Sequence, residues 1–260
     1  MPQIRVNNID LDYENVGSGN VLLMLHGLGS TKKDWDAQVP FFSKYFRVIT
    51  LDLRGHGKST IPKTDYGVHL MTEDVKCFLE ALDIKKATLI GFSMGGAVAF
   101  DFAAKHPEYL DKLVIVNSGP DFNNMGQIGE DLLHSRTKFL ETKGLEALAK
   151  EISFNMFPED HQIGLRNEFE ERCKLNDYNA YYKSFTTLMN WGLGEKLKDI
   201  KTKTLVVASD MDYTPVSFKE EYVSRLPNAK LVVIENSRHG AVLDQPEAFN
   251  HALLNFLNNE

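Results

Sequence analysis

Short apolar runs of strand length alternate with helical patterns along this chain, and this alternation constrains the fold most. Six runs are continuously apolar, as expected of strands that are covered on both faces. They lie at 20–27, 46–52, 86–92, 111–118, 203–209 and 229–236. Strands that alternate with helices run parallel through right-handed crossovers, so the pattern predicts an α/β layered sheet. Two further runs, at 3–6 and 9–15, predict an antiparallel pair and bring the sheet to about eight strands.

Helical periodicity is clearest in residues 71–82, which follow the apolar run at 46–52. One face of that segment carries Met71, Val75, Phe78, Leu79 and Leu82. Such spacing is typical of a helix that buries one side against a sheet. Further helices are predicted at 34–45, 94–106, 216–226 and 245–258.

Residues 120–195 interrupt the alternation, because no strand-like run occurs there. Amphipathic helical segments are predicted instead, at roughly 127–142, 144–156, 160–174 and 178–190. An all-helical insertion after the sixth strand would cover the carboxyl end of the sheet, where parallel sheets place their sites. We therefore expect a core formed by 1–119 and 196–260, with a helical cap formed by 120–195.

The charge and composition of the chain argue against several classes of protein. Its 260 residues include 29 lysines and arginines against 36 acidic residues, without a basic patch, which argues against a nucleic-acid partner. The apolar runs are too short to span a bilayer, and the first ten residues lack a signal-peptide stretch. Cys77 and Cys173 lie in predicted helices, which favours small buried thiols over a disulfide or a metal site. We expect a cytoplasmic protein without a membrane partner, and the sequence leaves its oligomeric state open.

The segment Gly91-Phe92-Ser93-Met94-Gly95 joins a predicted strand directly to a predicted helix and matches a nucleophile elbow. Glycines two positions before and after the serine let neighbouring backbone approach closely. The turn then holds Ser93 in a strained conformation with its hydroxyl exposed. Because a helix begins at this point, the N–H group of Met94 can bind a developing oxyanion. The alternative is a glycine-rich junction with a spectator serine, and the strand–helix context favours the elbow.

A serine hydroxyl is a weak nucleophile and needs a base, which is most often a histidine. Of the eight histidines, His26 and His239 follow predicted strands. His239 lies in a short loop before the last helix, where an imidazole can point at Ser93. His26 is flanked by Gly27 and Gly29, which favours a loop whose N–H groups complete an oxyanion hole. His239 is therefore the favoured base.

The base needs an acid that holds its tautomer and stabilises the imidazolium. The predicted strand 203–209 is followed by Asp210 and Asp212, and either one could serve. The other would cap the backbone or bind a nearby loop. The order Ser, Asp, His along the chain is that of α/β-hydrolases and differs from chymotrypsin-like and subtilisin-like proteases.

At this point the chain resembles the α/β-hydrolase fold family over almost its full length. Residues 26–59 look like the oxyanion loop, first helix and D-x-R-G-x-G-x-S segment of that family. Residues 91–96 look like its elbow, and residues 237–249 look like its histidine loop and final helix. Three motifs in the right order are far more specific than the elbow alone.

The resemblance implies a role for each matching residue. Ser93 is implied as the nucleophile and His239 as the base. The N–H groups of Leu28 and Met94 are implied as the oxyanion hole. In the family the acid often follows the pattern G-x-x-D with a proline close behind. Ser209 takes the glycine position, which aligns Asp212 with the acid and leaves Asp210 as the alternative. Structural loop contacts are implied for Asp52, Arg54 and His56.

The resemblance favours a carboxylic-ester hydrolase that acts on small to medium esters through an acyl-enzyme. It implies no cofactor and no metal, and the sequence contains no His/Cys cluster with metal-site spacing. A C–C hydrolase of meta-cleavage products shares the fold, cap and triad, although such enzymes commonly carry a polar residue where Phe92 stands. An enol-lactonase is a further alternative. Outside enzymes, a ligand receptor on this fold is the alternative, and turnover of a p-nitrophenyl ester separates the two classes.

The walls of the substrate pocket are expected to be mostly apolar. From the core, the predicted neighbours of the site are Leu28, Phe92, Met94, Tyr213 and Val242. None of them supplies a charge for a substrate carboxylate. From the cap, the candidates are Phe122, Phe154, Phe157 and Trp191, each with packing inside the cap as its alternative.

Overall fold

The computed structural model describes residues 2–64 and 66–258, and it contains one eight-stranded sheet. The strands are β1 (Gln3–Val6), β2 (Ile9–Val16), β3 (Val21–Leu25), β4 (Arg47–Leu51), β5 (Ala87–Phe92), β6 (Leu110–Val116), β7 (Thr204–Ser209) and β8 (Ala229–Ile234). Their order across the sheet is β1-β2-β4-β3-β5-β6-β7-β8. The pairs β1–β2 and β2–β4 are antiparallel, and every later pair is parallel. The predicted, mostly parallel α/β sheet is therefore confirmed.

Helices cover both faces of this sheet. They are α1 (Val39–Phe42), α2 (Val68–Ala81), α3 (Met94–Lys105), α4 (Gly126–Met156), α5 (Ile163–Lys174), α6 (Tyr178–Met189), α7 (Val216–Arg225), α8 (Ala241–Asp244) and α9 (Pro246–Asn258). Strands β3, β5 and β7 are buried along their whole length, which explains their continuous apolar sequence. At the edge of the sheet β8 is only partly buried, and Val233 is 40% exposed. None of the described helices is both long and apolar enough to traverse a bilayer.

The helix predicted at 34–45 is wrong as a single element. The chain forms a 3₁₀ helix at Lys32–Trp35 and then the short α1. Pro40 lies in the first turn of α1. Proline has no backbone N–H and cannot continue a helix that began several residues earlier, so the helix must restart at this point.

The segment 120–195 contains α4, α5 and α6. Helix α4 includes a break at Gly144, where φ is 81° and ψ is 174°, which separates the two helical segments predicted on either side of it. The segment lies over the carboxyl edge of the sheet. The side-chain amide of Asn176 donates to the carbonyl oxygen of Gly29 at 2.8 Å, and Arg172 pairs with Asp34 at 3.3 Å. These contacts join the helices to the loop after β3.

Candidate active site

Ser93 forms a sharp turn between β5 and α3. Its φ of 51° and ψ of −115° are strained for a residue with a side chain, which costs on the order of 1–3 kcal/mol. The two neighbouring glycines make this turn possible. A Cβ on Gly91 would collide with the carbonyl oxygen of Gly95, and a Cβ on Gly95 would collide with that of Leu25. The glycines are required by the close approach of β5, α3 and β3, and the turn presents the serine hydroxyl at the end of the sheet.

Ser93, His239 and Asp212 form a continuous hydrogen-bonded chain. The Nδ1 atom of His239 lies 2.6 Å from Oδ1 of Asp212, and Nε2 lies 2.9 Å from Oγ of Ser93. The carboxylate can only accept, so Nδ1–H donates to Asp212. Nε2 is then the acceptor for the hydroxyl of Ser93. The three residues predicted from separate segments of the sequence therefore meet with the geometry that general-base activation of a serine needs.

The carboxylate of Asp212 is buried and yet held ionised. Burial by itself would raise its pKa, but the charge and hydrogen bond of His239 and those of Lys219 lower the pKa to about 2. The backbone N–H of Tyr213 also donates to Oδ1, at 2.8 Å. A carboxylate that stays charged can fix the imidazole tautomer and stabilise the imidazolium.

Lys219 is a buried part of this arrangement that the sequence analysis missed. Its side chain is fully buried, and Nζ donates to Oδ2 of Asp212 and to the carbonyl oxygen of Thr214, each at 2.6 Å. Its third donor reaches Oγ1 of Thr214. Burial lowers the pKa of Lys219, while Asp212 opposes that shift. A signal was present in the sequence, because the large apolar residues Tyr222 and Leu226 follow Lys219 at the helical spacings i+3 and i+7.

Asp210, the alternative acid, has a different set of partners. Its two carboxylate oxygens accept the backbone N–H groups of Asn236 and Ser237, at 3.0 and 3.1 Å. These bonds join the end of β7 to the loop after β8. The structure thus brings Asp212 into contact with His239 and gives Asp210 a loop-binding position.

Asn117 holds the histidine loop against the sheet, and the sequence analysis did not identify it. Its amide donates to Oγ of Ser209 at 2.7 Å and to the carbonyl oxygen of His239 at 2.8 Å. Its oxygen accepts the N–H group of Ser209 at 2.8 Å. Ser209 replaces the glycine of the family pattern, and this network satisfies its buried hydroxyl. The position of Asn117 directly after β6 was the available signal.

The N–H groups of Leu28 and Met94 are available to a ligand. Within residues 2–64 and 66–258, neither group has a protein acceptor at hydrogen-bonding distance. Adjacent N–H groups are occupied: Gly27 donates to Asp34, and Gly95 donates to the carbonyl oxygen of His26. Met94 is also the first residue of α3, whose N-terminus favours negative charge. The two donors suit an oxyanion.

His26 is buried and serves as a fixed neutral imidazole. Its Nδ1–H donates to the carbonyl oxygen of Gly27 at 2.7 Å, and Nε2 accepts the N–H group of Leu53 at 3.0 Å. Burial, together with the charge of His56, lowers the pKa of His26 to about 3. Both ring nitrogens are occupied, so His26 shapes the loop that carries Leu28.

The D-x-R-G segment forms structural contacts near this loop. Asp52 accepts from both the backbone N–H and the Nζ of Lys32 at 2.7 Å. Arg54 pairs with Asp74 through two hydrogen bonds, one of them 2.6 Å from Nη2 to Oδ1. His56 donates to the carbonyl oxygen of Arg54 at 3.0 Å. All of these side chains are buried.

A cavity of about 410 Å³ opens onto Ser93 and His239. It lies between the sheet edge and the helices of 120–195, and its walls are mostly apolar. Leu28, Phe92 and Tyr213 line it as expected, whereas the side chains of Met94 and Val242 are fully buried elsewhere in the core.

Three of the four cap aromatics predicted as lining candidates lie outside the cavity, and only Phe122 lines it. Phe154 is 53% exposed, with the guanidinium of Arg166 over its ring. Phe157 is fully buried beside Phe169, and Trp191 is buried with its Nε1–H donating to Asp101. The alternative, packing inside the cap, therefore holds for Phe157, whereas Phe154 lies at the surface and Trp191 packs against the core.

The five core residues expected beside the site carry no charge, but the cap adds charged side chains to the pocket. Arg136 and Glu151, both on α4, line the cavity. Neither residue was identified from the sequence. The face that α4 turns toward the sheet depends on packing over long distances in the sequence.

Comparison with known proteins relates the chain to several hydrolases. A sequence model described as alpha/beta hydrolase fold matches residues 20–246. A Caulobacter sp. (strain K31) protein named carbamate hydrolase RutD is 32% identical, covering 97% of this chain and 97% of that protein. The 2-hydroxy-6-oxo-6-phenylhexa-2,4-dienoate hydrolase of Burkholderia cepacia is 30% identical, covering 98% of this chain and 93% of that protein. Among solved structures, the esterase EaEST from Exiguobacterium antarcticum matches with a TM-score of 0.91 at 25% identity, covering 98% and 97% of the two chains.

Proposed function

Because this chain belongs to the α/β-hydrolase fold family, we propose that it cleaves small to medium carboxylic esters through an acyl-enzyme on Ser93. Membership of the family and the named relatives support a hydrolase. The observation that carries the ester proposal is the 2.9 Å contact between Oγ of Ser93 and Nε2 of His239, beside two unoccupied N–H donors. This combination suits attack on a carbonyl carbon and storage of charge on its oxygen.

In the first half of the reaction, Oγ of Ser93 attacks the ester carbonyl while Nε2 of His239 takes its proton. Asp212 stabilises the resulting imidazolium through Nδ1–H. The negative charge on the carbonyl oxygen is held by the N–H groups of Leu28 and Met94. Each such donor is worth on the order of 10²–10³-fold in rate. The intermediate then expels the alkoxide, which receives the proton from His239 and leaves as the alcohol.

In the second half, water enters at the position that the alcohol has left. His239 removes a proton from the water, and the hydroxide attacks the acyl carbonyl held by Ser93. The same two N–H groups hold the second oxyanion. Collapse of this intermediate breaks the bond to Oγ, His239 returns the proton to Ser93, and the carboxylic acid departs.

The cavity sets the size of the substrate. A volume of about 410 Å³ accommodates a small or medium ester, and the helices of 120–195 close over it. We expect faster hydrolysis of acyl chains of about two to eight carbons than of long-chain triglycerides.

The names of two relatives indicate further classes of substrate that should be tested. The Burkholderia cepacia relative is named for a C–C bond hydrolysis, and the Caulobacter relative for a carbamate hydrolysis. A carbamate offers a carbonyl to the same nucleophile. Phe92, directly before Ser93, disfavours the C–C reading, since those enzymes commonly carry a polar residue there.

The test is turnover of p-nitrophenyl acetate, butyrate, octanoate and palmitate by the wild type and by Ser93→Ala. We expect the short esters to be hydrolysed fastest and the variant to be inactive on all of them. A protein that ignores these esters yet cleaves a meta-cleavage dienoate or a carbamate would move the function to that reaction. A folded protein that binds such compounds without turning any over would indicate a receptor.

A further inference from the structure

Arg136 is the only lysine or arginine among the described residues that line the active-site cavity. It projects from α4, and its guanidinium carbon lies 5.1 Å from the centroid of the Phe185 ring. Phe185 is itself buried, so the ring is a fixed platform under the guanidinium. Stacking of this kind holds the plane of an arginine and leaves its edge free for an anion.

No carboxylate within the described parts of the chain lies within 4.0 Å of the Arg136 guanidinium nitrogens. Its charge acts on the hydroxyl groups of Tyr181 and Tyr213 and on the thiol of Cys173, all of which are neutral groups. Three of the described acidic residues line the cavity, and two of them have partners of their own. Asp212 pairs with Lys219 and His239, Asp121 accepts the N–H group of Gly194 at 2.6 Å, and Glu151 is exposed. A cation with this environment lacks a protein counter-charge.

Tyr181 and Tyr213 line the same cavity as Arg136 and pack next to the reacting groups. A Cβ on Gly29, whose φ is +73°, would lie 2.7 Å from the ring of Tyr181, so that ring packs against the loop that carries Leu28. The ring of Tyr213 stacks on His239 with centroids 4.4 Å apart. Arg136 therefore shares one cavity with the oxyanion loop and the histidine, and its charge acts on the tyrosines that pack against them.

We propose that Arg136 forms an anion subsite that selects esters bearing a carboxylate away from the scissile carbonyl. This inference rests on the proposed function and names its substrate class. A guanidinium binds a carboxylate through two parallel charge-assisted hydrogen bonds, which gain strength in an apolar cavity. A neutral ester of the same size leaves Arg136 without that partner. The subsite therefore favours esters that bear a carboxylate over neutral esters.

Matched substrate pairs test the selectivity. Monomethyl adipate and methyl hexanoate differ only by a terminal carboxylate on the acyl side. On the alcohol side, 4-acetoxybenzoate and 4-methylphenyl acetate form a second pair. We expect Arg136→Gln to lower kcat/KM for the charged member about 10- to 100-fold more than for the neutral member, in at least one pair. Arg136→Lys should retain part of the preference, because it keeps the charge without the planar fork.

The matched control is Lys138→Gln, which removes the same charge from an exposed position of α4. It should leave the charged-to-neutral ratio of both pairs within about twofold of the wild type. A ratio that is unchanged by Arg136→Gln in both pairs, or changed equally by Lys138→Gln, overturns the subsite while leaving the ester hydrolase intact.

A binding measurement separates the subsite from the proposed chemistry. Calorimetry would compare the affinity of adipate for Ser93→Ala with that for Ser93→Ala/Arg136→Gln, and neither protein needs turnover. We expect at least about tenfold weaker binding to the double variant. If no ester is hydrolysed but this difference is found, the proposed function fails and the subsite stands. If adipate binds both proteins equally, or neither, the subsite is overturned.

Discussion

Lys219 and Asp212 form a buried ion pair on the side of Asp212 that faces away from His239. The Nζ atom of Lys219 lies 2.6 Å from Oδ2, and Nδ1 of His239 lies 2.6 Å from Oδ1 of the same carboxylate. One carboxylate is thus shared between a permanent cation and an imidazole that becomes a cation during the reaction. The electrostatic stabilisation that Asp212 gives to the imidazolium of His239 therefore depends on Lys219.

Replacing Lys219 with methionine should shift the pH dependence of activity. Without Lys219 the full carboxylate charge acts on the imidazolium that His239 forms during the reaction. The acid limb of kcat/KM for p-nitrophenyl butyrate should therefore move toward higher pH. Two other cations act on Tyr213, which stacks on His239; these are Arg136 and Arg238, and the substitution leaves both unchanged.

The control for this experiment is Lys230→Met, on the exposed side of β8, which should keep the wild-type profile. Lys219→Met should also unfold at lower denaturant concentration, because it leaves part of a buried carboxylate unpaired. Lower activity with an unmoved acid limb would mean that Lys219 only supports the fold.

Substitution by asparagine should affect activity differently at the two aspartates after β7. Asp212→Asn should lower kcat by about 10⁴-fold, as in a serine protease, because the amide favours the wrong histidine tautomer. Asp210→Asn should retain most activity and lose stability, since its carboxylate accepts two loop N–H groups. Steady-state kinetics and urea unfolding of both variants provide the comparison. An inactive Asp210→Asn beside an active Asp212→Asn would reverse the assignment.

His26 should make the fold sensitive to mild acid. Its folded-state pKa of about 3 lies below the ordinary value of 6.5, so between these values only the unfolded chain binds the proton. The free energy of unfolding is therefore highest above pH 6.5 and falls with decreasing pH, by up to about 1.4 kcal/mol per unit. Protonation would also place an N–H on Nε2 facing the N–H of Leu53.

Urea unfolding at about pH 7 and pH 5 measures this effect. We expect His26 to lower the free energy of unfolding by on the order of 2 kcal/mol between these two pH values. His56, whose pKa is also lowered by burial, adds to the loss in the same direction. His26→Gln should show a smaller difference between the two pH values, and His251→Gln, on the exposed side of α9, should show the wild-type difference. Equal differences in all three proteins would refute the account of His26.

Local patterns in the sequence predicted the strands, most of the helices, Ser93 and His239, whereas the choice of Asp212 over Asp210 came from the family resemblance. The burial of β3, β5 and β7 leaves continuous apolar runs, and the turn at Ser93 leaves glycines on both sides. Such features are determined by neighbours in the sequence.

The residues that were missed depend on tertiary packing. Lys219 is buried because Asp212 and Thr214 surround it, and Arg136 lines the cavity because α4 packs over the sheet with that face inward. Phe157 and Trp191 pack inside the structure for the same kind of reason. Helical periodicity can indicate that a helix has a buried face, but the partner of that face is set by residues far away in the sequence.

The most direct measurement is labelling of the protein with a fluorophosphonate probe, followed by peptide mass spectrometry. The account predicts a single modified residue, Ser93, because among the serines that the structure describes it alone combines a strained turn with a base 2.9 Å from its hydroxyl. Ser93→Ala should abolish labelling and lower kcat by several orders of magnitude, with an unchanged unfolding transition. Labelling at another serine, or full esterase activity in Ser93→Ala, would contradict the central claim.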